Sequence, residues 1–148
     1  MDKFNEGLDG ELGIAENETE TVGEKKPKRR PFHIWTVGGQ DYKLKLNTQM
    51  IEALERKYRT NVLNLITVDG LPQLSVMLTV IQAAASPWNH GMNYERVKKL
   101  YDAWREEGGS QTDLLSNVLL PVMAVSGFFT EEQADSIMAE LTKTGELL

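Results

Sequence analysis

The side chains that could do chemistry are few, and they lie far apart in the sequence. The chain contains two histidines, His33 and His90, and no cysteine. A metal site would require both histidines to converge with a carboxylate, and the two do not have the helical spacing of zinc-binding pairs. We therefore interpret them as histidines that bond to nearby backbone. The lack of cysteine excludes disulfides, thiol nucleophiles and cysteine-ligated zinc.

Three carboxylates lie close together in the stretch REEGGSQTD, which contains Glu106, Glu107 and Asp113. Paired carboxylates can act as general acid and base. Here they fall at the end of one predicted helix and the start of the next, where helix charge and capping account for them. The pair Gly38 and Gly39 lies outside any phosphate-binding glycine motif and predicts a turn. The residues thus give no support for an enzyme, and we assign no catalytic, cofactor-binding or metal site.

A short basic run, KKPKRR, is the other candidate for chemistry. It consists of Lys25, Lys26, Lys28, Arg29 and Arg30 around one proline, and basic runs can bind phosphate backbones. However, residues 1–24 carry eight acidic residues against one lysine, a net charge of −7, and these acids compete for the run. We interpret residues 1–31 as a disordered acidic tail and basic linker. Deleting residues 1–30 should then leave the fold intact, as a melting temperature would show.

The elements that must position these groups begin with a β-hairpin. PFHIWTV is rich in aromatic and β-branched residues, GGQD predicts a turn, and YKLKLN alternates. Tyr42, Leu44 and Leu46 fall on one face, and Lys43 and Lys45 fall on the other. Two strands alone are marginally stable, so the hairpin is expected to pack against helices or another subunit.

From Asn47 onward, apolar periodicity and capping residues predict helices. The predicted ranges are 48–58, 61–67, 73–85, 94–107, 110–125, and a last helix that starts at the capping box TEEQ and points Ala134, Ile137, Met138 and Leu141 inward. Pro121 should kink or restart the fifth helix. The predicted fold is mainly α, a compact bundle of about five to six helices preceded by the hairpin, in a domain spanning residues 32–148.

Two of the predicted helices, 73–85 and 110–125, are apolar almost all round. Such helices are either buried centrally or shared with a partner. If a partner binds, the contact residues are expected to be Val76, Met77, Val80, Ile81, Leu119, Leu120, Val122 and Met123. The alternative is that both helices cross in the core, which suits the main stripe of each.

Charge and hydropathy limit the class of protein and the compartment in which we expect it. The chain has 148 residues and a formal net charge of −6, which argues against a general nucleic-acid binder. No apolar run approaches the roughly 18 residues that span a membrane. The first residues lack the basic and apolar regions of a secretory signal. We expect a cytoplasmic protein that does not contact membranes.

The chain also resembles a known family. The blocks YKLKLNTQMIEALERKY and NHGMNYERV…LYDAWREEGGS…DLLSNV…VSGFF, between Tyr42 and Phe129, are similar to those of tail assembly chaperones of long-tailed phages, or prophages, of Gram-positive bacteria. The resemblance implies a protein that binds the tape measure protein, keeps it soluble and helps recruit tail tube protein. It further implies self-association and absence from the mature virion.

The resemblance also bears on the form of the protein, and two alternative functions remain open. Many members of the family are made in two forms, the longer by ribosomal frameshift, and this chain resembles the short form. The acidic tail and the basic run lie outside the resemblance. One alternative is a small phage regulatory or nucleic-acid-binding protein that uses residues 25–30. Another is a structural tail-completion protein.

Overall fold

The fold is mainly helical, with a two-stranded hairpin in front of the helices, as predicted. The computed structural model describes residues 30–67, 70–136 and 139. In chain order the elements are β1 (His33–Val37), β2 (Gln40–Leu44), α1 (Thr48–Tyr58), α2 (Val62–Ile66), α3 (Leu74–Ala85), α4 (Tyr94–Glu106), α5 (Gln111–Asp113), π1 (Leu114–Leu119) and α6 (Leu120–Val125). Residues 131–136 are helical as well. The predicted tail, apart from Arg30 and Pro31, lies outside the described residues, as do Ile137, Met138 and Leu141.

The hairpin turn is tighter than the sequence suggested. Gly38 and Gly39 alone connect the strands, with φ of 61° and 77°. Positive φ at both central residues is typical of a type I′ turn, whose twist matches that of the strands. Val37 pairs directly with Gln40. The prediction that GGQD forms the turn was therefore wrong for its last two residues, which already belong to β2.

Short-range capping explains where most helices begin. In each case a side-chain oxygen accepts the N–H of the residue three positions later, which satisfies a donor that the helix itself cannot. These pairs are Asn47 with Met50 (2.8 Å), Asn61 with Asn64 (2.9 Å), Asn93 with Arg96 (2.9 Å), Ser110 with Asp113 (3.1 Å) and Thr130 with Gln133 (3.0 Å). Gln133 also accepts the Thr130 N–H at 3.0 Å, completing the predicted capping box.

The chain passes Pro121 without a break. Residues 111–125, which we call the composite helix, run from α5 through π1 into α6. The N–H of Leu120 donates to the carbonyl of Leu115, five residues earlier. Because proline has no N–H, the widened π turn just before Pro121 lets the helix continue where a regular ladder would fail. The expected restart is therefore replaced by a π-helical segment.

The core lies where α3 and the composite helix meet the inner face of the hairpin. Seven of the twelve residues of α3 are buried, and the inner face contributes Trp35, Val37, Tyr42 and Leu44. The predicted inward alternation of Tyr42, Leu44 and Leu46 is confirmed, since all three are at most 5% exposed. Full burial of one such aliphatic side chain contributes about 1.5–3 kcal/mol.

The outer edge of β2 is covered by the C-terminal end of α3 and the loop after it. Lys45 N–H donates to the Ala84 carbonyl at 3.0 Å, and the Lys45 carbonyl accepts the indole N–H of Trp88 at 2.8 Å. The side-chain amide of Asn89 donates to the Lys43 carbonyl at 2.8 Å. These bonds pair backbone groups that an edge strand would otherwise leave open, so they anchor the hairpin to the helices.

Candidate interaction surfaces

Most of the residues predicted to bind a partner lie inside the protein. Met77, Val80, Ile81, Leu119, Val122 and Met123 are all 0% exposed, whereas Val76 and Leu120 are partly buried. The six buried residues cannot contact a partner on the surface of this fold, so that part of the prediction is corrected. The reason is that β2, α1, α4 and π1 all pack against α3, which makes α3 a central helix.

The two histidines do not come together. His33 lies in β1, half-buried, while His90 lies exposed in the loop after α3. Burial lowers the pKa of His33, and the positive charge of Arg30 acts in the same direction, against a backbone hydrogen bond with Asn117 that favours the protonated form. The His90 carbonyl accepts the guanidinium of Arg96 at 2.9 Å. Among the described residues there is no group of three or more metal-ligating side chains.

The acidic residues near the end of α4 are held by structural bonds. Glu107 accepts the N–H of Gly38 at 2.8 Å, across 69 residues of sequence. Asp113 contacts the hydroxyl of its own cap, Ser110, at 3.0 Å. The interpretation of Asp113 as a capping residue is thus confirmed. The bond from Glu107 to the hairpin turn had no signal in the sequence, because nothing local marks a contact of that range.

A groove runs between α3 and α4, and we call it the α3–α4 groove. Its volume is about 250 Å³, and its lining residues are Leu74, Ser75, Leu78, Tyr94, Lys98, Tyr101, Asp102 and Arg105. The floor is apolar and aromatic, and charged groups form the rim. Sequence analysis missed this groove because its walls come from separate helices, and no local pattern shows that α3 and α4 pack side by side.

The rim cations of this groove rest on aromatic rings. Lys98 Nζ lies 5.7 Å from the ring centre of Tyr94, and the Arg105 guanidinium lies 5.8 Å from that of Tyr101. Lys98 also forms an exposed ion pair with Glu95 at 3.3 Å. Cation–π contacts of this kind contribute about 0.5–1 kcal/mol at exposed sites. They place positive charge directly beside apolar surface.

A second apolar surface lies on the outer face of the hairpin. The rings of Phe32 and Trp88 meet edge to face with centroids 5.0 Å apart, and Lys43 Nζ lies 5.2 Å from the Phe32 ring. Ile34 and Trp88 are 44% and 38% exposed. By strand alternation, Phe32 and Ile34 belong to the same face. The sequence placed Lys43 and Lys45 of β2 on this face, and the structure adds the apolar residues of β1 beside them.

Other surfaces are less informative. Of the basic linker only Arg30 is described, and it is exposed; Lys25, Lys26, Lys28 and Arg29 lie outside the described residues. Within the described ranges, no helix has the length and hydropathy to span a membrane.

Comparison of the chain with known protein families, characterised proteins and solved structures found no match.

Proposed function

We propose that this chain is a phage tail assembly chaperone that binds apolar helical segments of the tape measure protein in the α3–α4 groove. The observation that carries the site assignment is the apolar and aromatic floor of the groove between two rim cations. The family assignment comes from the sequence blocks between Tyr42 and Phe129, one of which, NHGMNYERV…LYDAWREEGGS, includes all of α4 except Lys98 and Lys99. The α4 wall of the groove, apart from Lys98, is therefore built from residues that carry the resemblance.

The groove suits an amphipathic helix in particular. Apolar side chains of the client would cover Leu74 and Tyr101 and replace water on the floor. Carboxylates beside those apolar residues would meet Lys98 and Arg105. Because the whole chain carries a net charge of −6, a complex with an aggregation-prone client would remain charged and repel other complexes. This is the physical basis on which binding would keep the client soluble.

The rest of the proposed role follows from the resemblance. The chaperone would hold the tape measure protein during assembly, help recruit tail tube protein, and leave before the virion is complete. It would act in the cytoplasm of the infected or lysogenic cell. The proposed mechanism is reversible binding, with no covalent chemistry.

Co-expression with a tape measure protein from the same genome tests both the function and the site. The wild-type chain should increase the soluble fraction of the tape measure protein and copurify with it. The variant Leu74→Asp/Tyr94→Asp should lose both effects, because it places two carboxylates on the apolar floor. Each substitution lies at the first residue of a helix, where an acidic side chain favours the helix dipole, so circular dichroism should still show a folded protein.

The matched control is Gln111→Asp, which adds a carboxylate at the exposed first residue of α5. It should behave like the wild-type chain. If the tape measure protein is equally insoluble with and without the wild-type chain, and the two do not copurify, the proposed function is wrong. If the wild-type chain and the double variant bind equally well, the function stands and the groove is the wrong site.

A further inference from the structure

The acidic tail (residues 1–24) contains a regularly spaced apolar row. Phe4, Leu8 and Leu12 follow one another at intervals of four, a spacing that places side chains on one side of a helix. By the same periodicity, one pair of acidic residues borders each flank of this row. The pairs are Asp9 with Glu16, and Glu11 with Glu18. The pattern is that of an acidic amphipathic helix, which needs an apolar surface to cover its row.

The α3–α4 groove offers a surface of matching chemistry. Its floor is apolar and aromatic, and its rim cations, Lys98 and Arg105, are seven residues apart on α4, which is about 10 Å along the helix. Each pair of carboxylates that borders the apolar row is also seven residues apart. Among the described residues no ion pair involves Arg105, and Lys98 pairs only with exposed Glu95. The spacing of charge beside apolar surface therefore agrees between the tail and the groove.

We propose that residues 4–18 dock as a helix in the α3–α4 groove of the same chain and are displaced when a client binds. The apolar row covers the floor, and one pair of tail carboxylates meets the two rim cations. This inference rests on the proposed function, because it assigns a built-in competitor to the client site. It gives the acidic tail a role in controlling binding and none in stabilising the fold.

The chain outside the described residues is long enough to reach the groove. The described chain begins at Arg30, two residues before Phe32, whose ring packs against Trp88 with centroids 5.0 Å apart. From Trp88 the loop leads to Tyr94 at one end of the groove, and its six residues span at most about 20 Å. The segment between Glu18 and Arg30 can extend about 40 Å, which covers this distance. Because the tail is tethered, its effective concentration at the groove is on the order of millimolar.

The basic run is a competing partner for the tail, but a poorer one. It attracts the acidic residues, yet KKPKRR offers no large apolar side chain to cover the apolar row. Residues 31–148 carry fourteen acidic and ten basic residues, so the domain as a whole repels the tail. Salt screens that repulsion beyond about 8 Å, and the contacts at the rim of the groove are shorter. The groove is therefore the surface that matches both the charge and the apolar row.

The docked state is expected to be weak. Gly7, Gly10 and Gly13 lie within the segment, and glycine is unfavourable in a helix because its backbone loses the most freedom on ordering. A weak contact suits a competitor that a client must displace. A groove that the tail fills about 90% of the time would bind its client about tenfold more weakly.

Paramagnetic broadening in the full chain tests docking without any client. The chain contains no cysteine, so Asn17→Cys provides a single position for a spin label, on the side of the segment opposite Leu8. The label should broaden the amide signals of groove residues such as Ser75 and Lys98. A second sample, in which the spin-labelled chain is mixed with an isotope-labelled chain that has no label, should not show this broadening, because the contact is within one chain.

The apolar row can be removed without touching the domain. In the spin-labelled chain, Phe4→Ser/Leu8→Ser/Leu12→Ser should abolish the broadening of the groove signals. The matched control is Ile14→Ser, which changes an apolar residue of the same tail that lies off the row and should keep the broadening. In co-expression, the triple variant should copurify up to about tenfold more tape measure protein than the wild-type chain, because the competitor is gone.

The charges can be tested at constant net charge. One variant converts to amides the four acidic residues that border the row: Asp9→Asn/Glu11→Gln/Glu16→Gln/Glu18→Gln. Its control converts the other four acidic residues of the tail: Asp2→Asn/Glu6→Gln/Glu20→Gln/Glu24→Gln. The first variant should lose most of the broadening and the control should keep most of it. Equal losses would overturn the proposed register.

Other outcomes would overturn the docking itself. These are a label that broadens no groove amide, a label that instead broadens the outer face of the hairpin around Ile34, and broadening that appears equally in the mixed sample. If the tail docks but the triple variant copurifies no more client than the wild-type chain, the competition is wrong. All these results leave the proposed function standing. A docked tail in a chain that never binds the tape measure protein would confirm the docking and overturn the proposed function.

Discussion

Helix α3 and the hairpin that packs against it use their apolar residues differently. Met77 and Ile81 of α3 are 0% exposed, because neighbouring elements cover this helix from several sides. The hairpin is covered on one face only: Leu44 on its inner face is 0% exposed, while Ile34 on its outer face is 44% exposed. The available apolar surface therefore lies at the hairpin and in the α3–α4 groove, while the most apolar helices are used to build the core.

The strongest test of this difference compares two adjacent leucines at the junction of π1 and α6. Leu119 is 0% exposed and Leu120 is partly buried. Leu119→Ala should lower the free energy of unfolding by about 2–5 kcal/mol, because it removes buried methyl groups and leaves a cavity. Leu120→Ala should cost clearly less. Equal losses of unfolding free energy, measured from urea midpoints, would mean that Leu120 is as well buried as Leu119.

A smaller effect is expected where the hairpin meets α4. Gly109 folds back onto Trp104, so an added methyl group would lie 2.5 Å from that ring, and Trp104 packs against Trp35 with centroids 6.0 Å apart. Gly109→Ala should cost about 2–3 kcal/mol by over-packing and should change the tryptophan fluorescence.

Gly39→Ala is the control for this substitution. Nothing lies within 4 Å of a methyl group at Gly39, and the only penalty is its φ of 77°, which should cost about 1 kcal/mol. If Gly109→Ala costs no more than Gly39→Ala, the packing of Trp104 is looser than the structure shows.

The bond between Glu107 and the hairpin turn should have a still smaller effect. Glu107→Ala removes the acceptor of the Gly38 N–H and should lower the free energy of unfolding by about 1 kcal/mol. This is less than the roughly 1.5–3 kcal/mol of a bond to a charged group, because both groups are exposed. Glu106→Ala is the matched control. In the described residues no hydrogen bond involves the Glu106 side chain, so its loss should leave the urea midpoint nearly unchanged.

The smallest expected effect is the pH dependence contributed by His33. Its pKa in the folded protein lies below the ordinary value of 6.5, so the unfolded chain binds the proton more readily. Stability should therefore fall as pH drops below about 6.5 and level off below the folded pKa. His33→Gln should flatten this slope below about pH 6.5, whereas His90→Gln, on an exposed loop, should keep it. A wild-type slope that survives in His33→Gln would assign the effect to another group.

Several features were predictable because they depend on neighbouring residues. The hairpin, the inward face of Tyr42 and Leu44, and the capping box of Thr130 and Gln133 were all predicted and are all confirmed. Each arises from alternation or from a bond that spans three residues. The π-helical segment before Pro121 was not predicted. A helix can accommodate a proline by a kink, a restart or a π turn, and packing against neighbouring elements selects among these.

The sequence by itself determined the type of most elements, the point at which most helices begin, and which face of β2 is apolar, because these depend on periods of two to four residues. Only the tertiary structure decided which apolar surfaces remain available. Bonds such as Leu46 N–H to the Ser126 hydroxyl, across 80 residues, and Gly38 N–H to Glu107, across 69, set how the elements meet. The physical reason is that burial depends on which elements pack together, and no local pattern encodes that choice for α3 or for the α3–α4 groove.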